Sequence, residues 1–426
     1  MNSTTRVQLS LMMFLNFFVW GIWFVTMGTY LTKGIIHATD EQSGLAYGTQ
    51  CLGAIIAPFI IGLIADRYFS AQKILGILHL AGAVLMYMIS EKTTFTSFYS
   101  LLLIYMIIYM PTLALVNSIS MKQMSNPKKE FSFIRMWGTI GWIVAGLVIG
   151  WMAWEPASEI VKAGTAADAS AEAKAALEKA ASVLKITFTV GAAVSAVLGL
   201  YSFMLPNTPP PKKGQQTSFG DIVGLDSIRL LKDKNYLVFF ISSILICIPL
   251  AFYYGSAGNF LSEAGMPKPA KNMILGQVAE TVFLFIMPWF FARFNVKKML
   301  LFGMIAWILR YILFGFGDAG PGIWMLYGGI ILHGICYDFF FVTGQIYTDQ
   351  KAGERIRSSA QGMITLATYG LGMLIGFWLA GKISGNYKTP DGHNWQNIWL
   401  IPAAIAAFIT LFFMLFFKDK SEAKAD

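Results

Sequence analysis

His333-Gly-Ile-Cys-Tyr-Asp-Phe-Phe-Phe-Val-Thr-Gly-Gln345 lies inside an apolar run from about Ile323 to Tyr347. The run is long enough to cross a bilayer, which takes about 20 apolar residues as a helix. In its middle sits an acid, Asp338. A charged side chain at membrane depth costs at least ~2.5–3.5 kcal/mol, so it faces the protein interior or water and marks a functional site. Helical spacing puts Asp338, Phe341 and Gln345 on one face, with Gly334 four residues before the acid. That face offers an acid, an aromatic plane and an amide beside a gap left by glycine, as the wall of a binding site would. The plainer reading is an Asp paired with an Arg to hold helices together.

The rest of the chain repeats the apolar signal. Of 426 residues, 56% are hydrophobic and 13% charged, and the mean hydropathy is +0.59. Soluble domains run at about 45–50% apolar and about 25% charged. The composition therefore predicts an all-α integral membrane protein. Twelve spans can be counted, near 8–31, 44–65, 72–90, 97–121, 133–153, 183–205, 237–262, 273–294, 297–316, 322–347, 358–382 and 396–417. The first follows Arg6 without a small-residue cleavage site and reads as a membrane helix, not a signal peptide. The net charge of +9 does not point to nucleic acid, because the basic residues cluster in short loops between spans. Arg67 and Lys73, Lys122 with Lys128 and Lys129, Lys297 and Lys298, and Lys351 with Arg355 and Arg357 all follow even spans. This bias places both termini in the cytoplasm. Cys51, Cys247 and Cys336 lie in or beside apolar segments and read as free thiols.

Two polar stretches divide the chain. Residues 154–182 form an alanine-rich insert on the outer side, and residues 206–236, opening Pro-Asn-Thr-Pro-Pro-Pro-Lys-Lys-Gly, form a cytoplasmic linker. Leu225 to Leu231 within it has the pattern of a short surface helix. The halves are then 1–205 and 237–417, each of six helices, with a polar tail at 418–426. Pro58–Lys73 and Pro288–Lys298 echo one another at the end of an even span in each half. Two six-helix halves around a midplane site form the pattern of a secondary transporter.

Polar groups inside the spans mark where the chemistry sits. Arg135, Thr139 and Trp142 share one face of span 5, though Arg135 is near enough to a span end to snorkel. Gln277, Glu280 and Thr281 share a face of span 8, and Arg310 lies deep in span 9. Glu280, Arg310 and Asp338 make a minimal charge set, in which Arg310 neutralises one acid while the other takes a proton. His79 and His333 are either proton relays or hydrogen-bonded interior histidines. Asn16, Trp20, Trp23 and Thr26 share a face of span 1. Aromatics beside amides and carboxylates suit a flat ring bearing hydroxyls. No phosphate-binding loop, nucleophile–base pair or metal cluster stands out, which argues against ATP drive, an enzyme, a cofactor or a metal.

The chain resembles the nucleoside:proton symporter family of the major facilitator superfamily over essentially its full length. The resemblance rests on Phe18-Val-Trp-Gly-Ile-Trp23, Gly62-Leu-Ile-Ala-Asp-Arg-Tyr-Phe-Ser70, Tyr109-Met-Pro-Thr-Leu-Ala-Leu-Val-Asn-Ser-Ile-Ser120, Ile134-Arg-Met-Trp-Gly-Thr-Ile-Gly141, Ala306-Trp-Ile-Leu-Arg310, Tyr337-Asp-Phe-Phe340 and Ser359-Ala-Gln-Gly-Met363. It implies that Arg135, Thr139, Trp142, Gln277, Glu280, Tyr337 and Asp338 bind substrate and that Asp338 couples to protons. The helical spacing adds Phe341 to the binding face, and the charge set adds Glu280 and Arg310 to the coupling. Asp66 and Arg67, in the Asp-Arg loop general to the superfamily, are expected to help close the cytoplasmic side as a gate. In span 7 the family's ligand-holding Gln and Asn are replaced by Ala251 and Tyr254, and His333 stands where a Tyr is found.

The expectation is a twelve-helix carrier of the major facilitator fold. It imports nucleosides with protons by alternating access in a bacterial inner membrane, and such carriers can work as monomers. Two alternatives stay open: a carrier for another hydroxylated solute, such as a sugar or modified nucleoside, and a non-transporting receptor on the same scaffold.

Overall fold

The computed structural model describes residues 2–60, 69–124, 127–209 and 225–418. Asp66 and Arg67, residues 210–224 of the linker and the end of the tail lie outside the described residues. The chain is helical nearly throughout, as backbone groups in a hydrocarbon core require. Eleven helices among the described residues are long and apolar enough to cross a membrane. The expected span at 44–65 corresponds to a further helix, Asp40–Ile60.

Two compact units are present, one of Met1–Thr217 with Pro267–Lys271, the other of Ser218–Met266 with Asn272–Asp426. Unit 1 contains α1 (Ser3–Phe24), α2 (Met27–Lys33), α3 (Asp40–Ile60), α4 (Ala71–Ser90), α5 (Phe95–Lys122), α6 (Pro127–Trp151), α7 (Ser158–Thr165), α8 (Ala171–Ser182) and α9 (Lys185–Ser202). α1 packs on α6, α4 on α9 and α3 on α5. Asn2 caps α1 by accepting from the Thr5 N–H at 2.8 Å, which satisfies one of the helix's orphan donors. The polar insert forms α7 and α8, which pack on each other, and Ser182 accepts from the Ile35 N–H at 3.0 Å. His79 is a hydrogen-bonded interior histidine. Its ring lies 2.9 Å from Asn16 Oδ1 and 3.0 Å from Ser195 Oγ, while Tyr109 donates to the Asn16 carbonyl at 2.8 Å. These bonds tie α1, α4, α5 and α9 together.

Unit 2 opens with a 3-10 turn at Leu225–Lys232, where the sequence suggested a short surface helix. Then come α10 (Lys234–Glu263), α11 (Pro269–Phe291, whose first turn belongs to unit 1), α12 (Val296–Phe316) and α13 (Ile323–Tyr337). A π-helical turn, Asp338–Val342, joins α13 to α14 (Thr343–Thr365), which breaks at Gly353, where φ is +65°. A second π turn, Leu366–Gly372, leads to α15 (Met373–Asn386). A short hairpin, β1 (Lys388–Thr389) with β2 (Gly392–His393), precedes α16 (Trp395–Phe416). Asp233 caps α10 and pairs with Lys351 at 2.6 Å.

The gap expected beside Gly334 is filled by protein. A Cβ there would lie 2.6 Å from both Ala279 C and Glu280 N, so the glycine lets α13 press on the backbone of α11. Gly276 does the same from the other side, where a Cβ would sit 3.2 Å from the His333 Cβ. These two close approaches bring Glu280 next to His333. Gly334→Ala therefore forces α13 off α11, at a cost of roughly 1–3 kcal/mol. A lower melting temperature of the purified protein, with loss of transport, is the expected result; a wild-type melt and wild-type uptake would refute this packing.

In unit 1 the Glu155 carboxylate accepts from the Ala270 N–H with both oxygens, at 3.1 and 3.2 Å, at the start of α11. Burial pushes this carboxyl up from its ordinary 4.5 to about 7, and the Ala270 hydrogen bond only partly opposes it. The folded chain thus holds a proton between about 4.5 and 7 that the unfolded chain releases. Stability from this group is full below about pH 4.5 and lost as pH rises through 7. Melting measured from pH 4.5 to 7.5 should fall less steeply in Glu155→Gln than in the wild type; parallel curves would count against it.

Candidate functional site

The ionisable residues of unit 2 meet around α13. Arg310 on α12 is fully buried, and its Nη1 donates to His333 Nδ1 at 3.1 Å. Its guanidinium carbon lies 3.4 Å from the Tyr253 ring centroid, and the Trp307 and Phe314 rings stand at 5.5 and 5.6 Å. A desolvated cation over aromatic faces gains about 2 kcal/mol or more per good contact. Arg310 forms no ion pair with an acid among the described residues, so the expected neutralisation of Glu280 or Asp338 gives way to an aromatic cage and a histidine. His333 Nε2 in turn faces Glu280 Oε2 at 3.9 Å.

Asp338 is fully buried, and neither carboxyl oxygen has a hydrogen-bond partner among the described residues. It opens the π turn. The wider turn swings the following residues round the axis, which separates faces that regular helical spacing would have joined. Phe341 stays buried, whereas Gln345 is exposed. Tyr337 is half-buried and its hydroxyl bonds that of Tyr369, linking the two π turns. Tyr337 lies 5.8 Å from the His333 ring and 5.2 Å from Phe341, which is 6.0 Å from Tyr369. The result is a row of aromatic faces running past Asp338. A small cleft is lined by Phe239, Ser243, Phe341, Gln345, Thr368 and Tyr369. Gln277 is half-buried one turn before Glu280 on α11, and its backbone carbonyl accepts from the Thr281 hydroxyl at 3.0 Å.

Unit 1 presents a second polar–aromatic face. Arg135, Thr139 and Trp142 are all half-buried on α6. The Arg135 guanidinium sits 4.2 Å above the Phe17 ring, and Trp142 packs edge-on against Trp20, with centroids 5.5 Å apart. Gly21 lets α1 approach Trp142. The span 1 face divides: Trp20 meets Trp142, while Asn16 serves His79 and Trp23 is buried against Phe188 and Tyr105.

Several residues of these faces escape a reading of the sequence. Tyr253, Tyr369 and Trp307 are aromatics in aromatic-rich spans, with nothing local to distinguish them. Ala251 is buried in the α10–α15 contact, where a Cβ at Gly376 would meet its own Cβ at 2.6 Å, so it packs helices together. Tyr254 is half-buried, 6.1 Å from His333.

Known proteins resemble this chain in sequence and fold. The chain is 40% identical over 423 residues to the putative nucleoside transporter YegT of Escherichia coli (strain K12), covering 97% of this chain and 94% of that one. It is 30% identical over 427 residues to the xanthosine permease of the same organism, covering 97% and 96%. The crystal structure of nucleoside transporter NupG superposes with a TM-score of 0.83 at 30% identity, covering 99% of this chain and 100% of that one. The fold is thus the all-α membrane transporter fold of the major facilitator class, and the chain is a permease and not an enzyme. A family model described as nucleoside H+ symporter matches residues 1–422, and the chain belongs to that family of membrane transporters, which carry nucleosides and protons.

Proposed function

We propose that the chain imports nucleosides into a bacterial cell across the inner membrane, by alternating access, as a monomer with both termini cytoplasmic. Asp338 couples the movement to protons. The observation that carries this reading is the fully buried Asp338 carboxyl, which has no hydrogen-bond partner on either oxygen among the described residues. An ionised carboxylate in that position costs several kcal/mol, so it takes up charge only when water or ligand reaches it. A group that must change its charge with its access to water is what proton coupling needs. Glu280, about one-fifth exposed, contacts the sugar hydroxyls, and Gln277 beside it bonds the sugar or the base. Tyr337 and Phe341 supply aromatic faces for a flat base in unit 2, and Trp142 is the aromatic of the unit 1 face. Arg135 and Thr139 supply donors on the unit 1 face. Asp66 and Arg67, in the superfamily's Asp-Arg loop, help close the cytoplasmic side. Arg310 serves the site through His333.

The test is uptake of labelled uridine and adenosine into proteoliposomes, with and without an inward proton gradient. The wild type should accumulate at least one of them above equilibrium only with the gradient. Asp338→Asn should keep downhill exchange and lose gradient-driven accumulation; unchanged accumulation would remove Asp338 from coupling. Glu280→Gln should raise KM about 10-fold or more, the scale of one lost charged hydrogen bond in a shielded site.

A further inference from the structure

We propose that Arg310 and His333 form an orienting chain behind Glu280, so that His333 is a positioning residue for the carboxylate that binds the nucleoside sugar. The proposal rests on the reading that Glu280 contacts ligand. Arginine has only donors, so His333 Nδ1, at 3.1 Å from Arg310 Nη1, must accept. The ring hydrogen is therefore on Nε2, the nitrogen that faces Glu280 Oε2 at 3.9 Å. Without Arg310 either tautomer is open, and one of them would turn a lone pair toward the carboxylate.

The parts of this chain are held rigidly. Arg310 cannot leave its aromatic cage without carrying an unsolvated charge through apolar packing. The His333 ring is stacked on Tyr253, with centroids 5.1 Å apart and planes 28° apart, and Tyr254 meets it edge-on. Gly276 and Gly334 set how near α11 comes to that ring. Glu280 is the member of the chain with access to water, about one-fifth exposed against 1% for His333. At 3.9 Å the Nε2–Oε2 separation is longer than a hydrogen bond, whose usual N···O distance is about 2.9 Å. A small rotation of Glu280 closes the gap. Site hydrogen bonds that are long without ligand commonly tighten when it binds. With Oε2 held by His333, the carboxylate is presented to a sugar hydroxyl in a fixed direction. His333 thus acts on affinity through Glu280 and need not touch the ligand.

A double-mutant cycle on nucleoside uptake tests this. His333→Phe keeps the stacked ring and removes the donor; it should raise KM about 10-fold while the maximal rate changes little. His333→Gln keeps an N–H donor and should restore most of that loss. Arg310→Gln should resemble His333→Phe. In a Glu280→Gln background, His333→Phe should raise KM by less than about 2-fold, because the interaction it serves is already gone. If the two substitutions multiply instead, or if His333→Phe leaves KM unchanged, the orienting chain is refuted. If Glu280→Gln alone has wild-type KM, the assignment of Glu280 to the ligand fails, and the proposal with it. Should Arg310→Gln not fold, the Phe and Gln variants at His333 decide the question without it.

Discussion

Arg310 carries a permanent charge with no exposed surface, and much of unit 2 is arranged around it. In a membrane helix the charge has no water to fall back on, and no acid is within ion-pairing distance among the described residues. Three aromatic rings and one imidazole nitrogen stand in. The rings are themselves fixed: Trp307 stacks on Tyr311, Tyr311 on Trp399, and the Tyr311 hydroxyl donates to the Pro249 carbonyl. The cation thus ties α10, α12, α13 and α16 to one another. It also leaves both acids of the site unneutralised by it.

The π turns set the second condition. Each puts a wider, less regular loop of backbone into an otherwise apolar helix, and such turns gather at functional sites. Here one begins at Asp338 itself and the other contains Tyr369, and the Tyr337–Tyr369 hydroxyl bond joins them. The bond fixes the two irregular segments against each other where the cleft opens. Phe341 and Gln345 still line one cleft, the first buried and the second exposed, while Asp338 is not among its lining residues.

These features explain what the sequence reveals and what it conceals. Spans are visible because apolar runs of about 20 residues have one main physical use. Asp338, Glu280 and Arg310 are visible because a charge inside such a run stands out against its neighbours. Partners are another matter. Nothing near Arg310 in the chain says that it meets a histidine 23 residues away and not an acid. Gly334 reads equally as space for ligand or as room for a neighbouring helix, and only the position of α11 decides. The π turns leave no periodic trace, since one inserted residue is lost in a uniformly apolar pattern. Tyr253 and Tyr369 are hidden by composition, in a chain with 34 Phe, 17 Tyr and 12 Trp.

The two acids of unit 2 are one chemical type in two environments, and the difference assigns their work. Glu280 stands at the edge of the packed region, about one-fifth exposed on one side and 3.9 Å from His333 Nε2 on the other. It can offer an oxygen to a hydroxyl after only a small rotation. Asp338 has no exposed surface and no donor among the described residues, so its charge depends on the conformation around it. A carrier needs one group of each kind, because ligand recognition should persist while the proton comes and goes. Had Arg310 paired with Asp338, that carboxylate would have been charged in every state and could not have served. The aromatic cage and His333 keep the cation away from the coupling acid and lend its orienting power to the binding one.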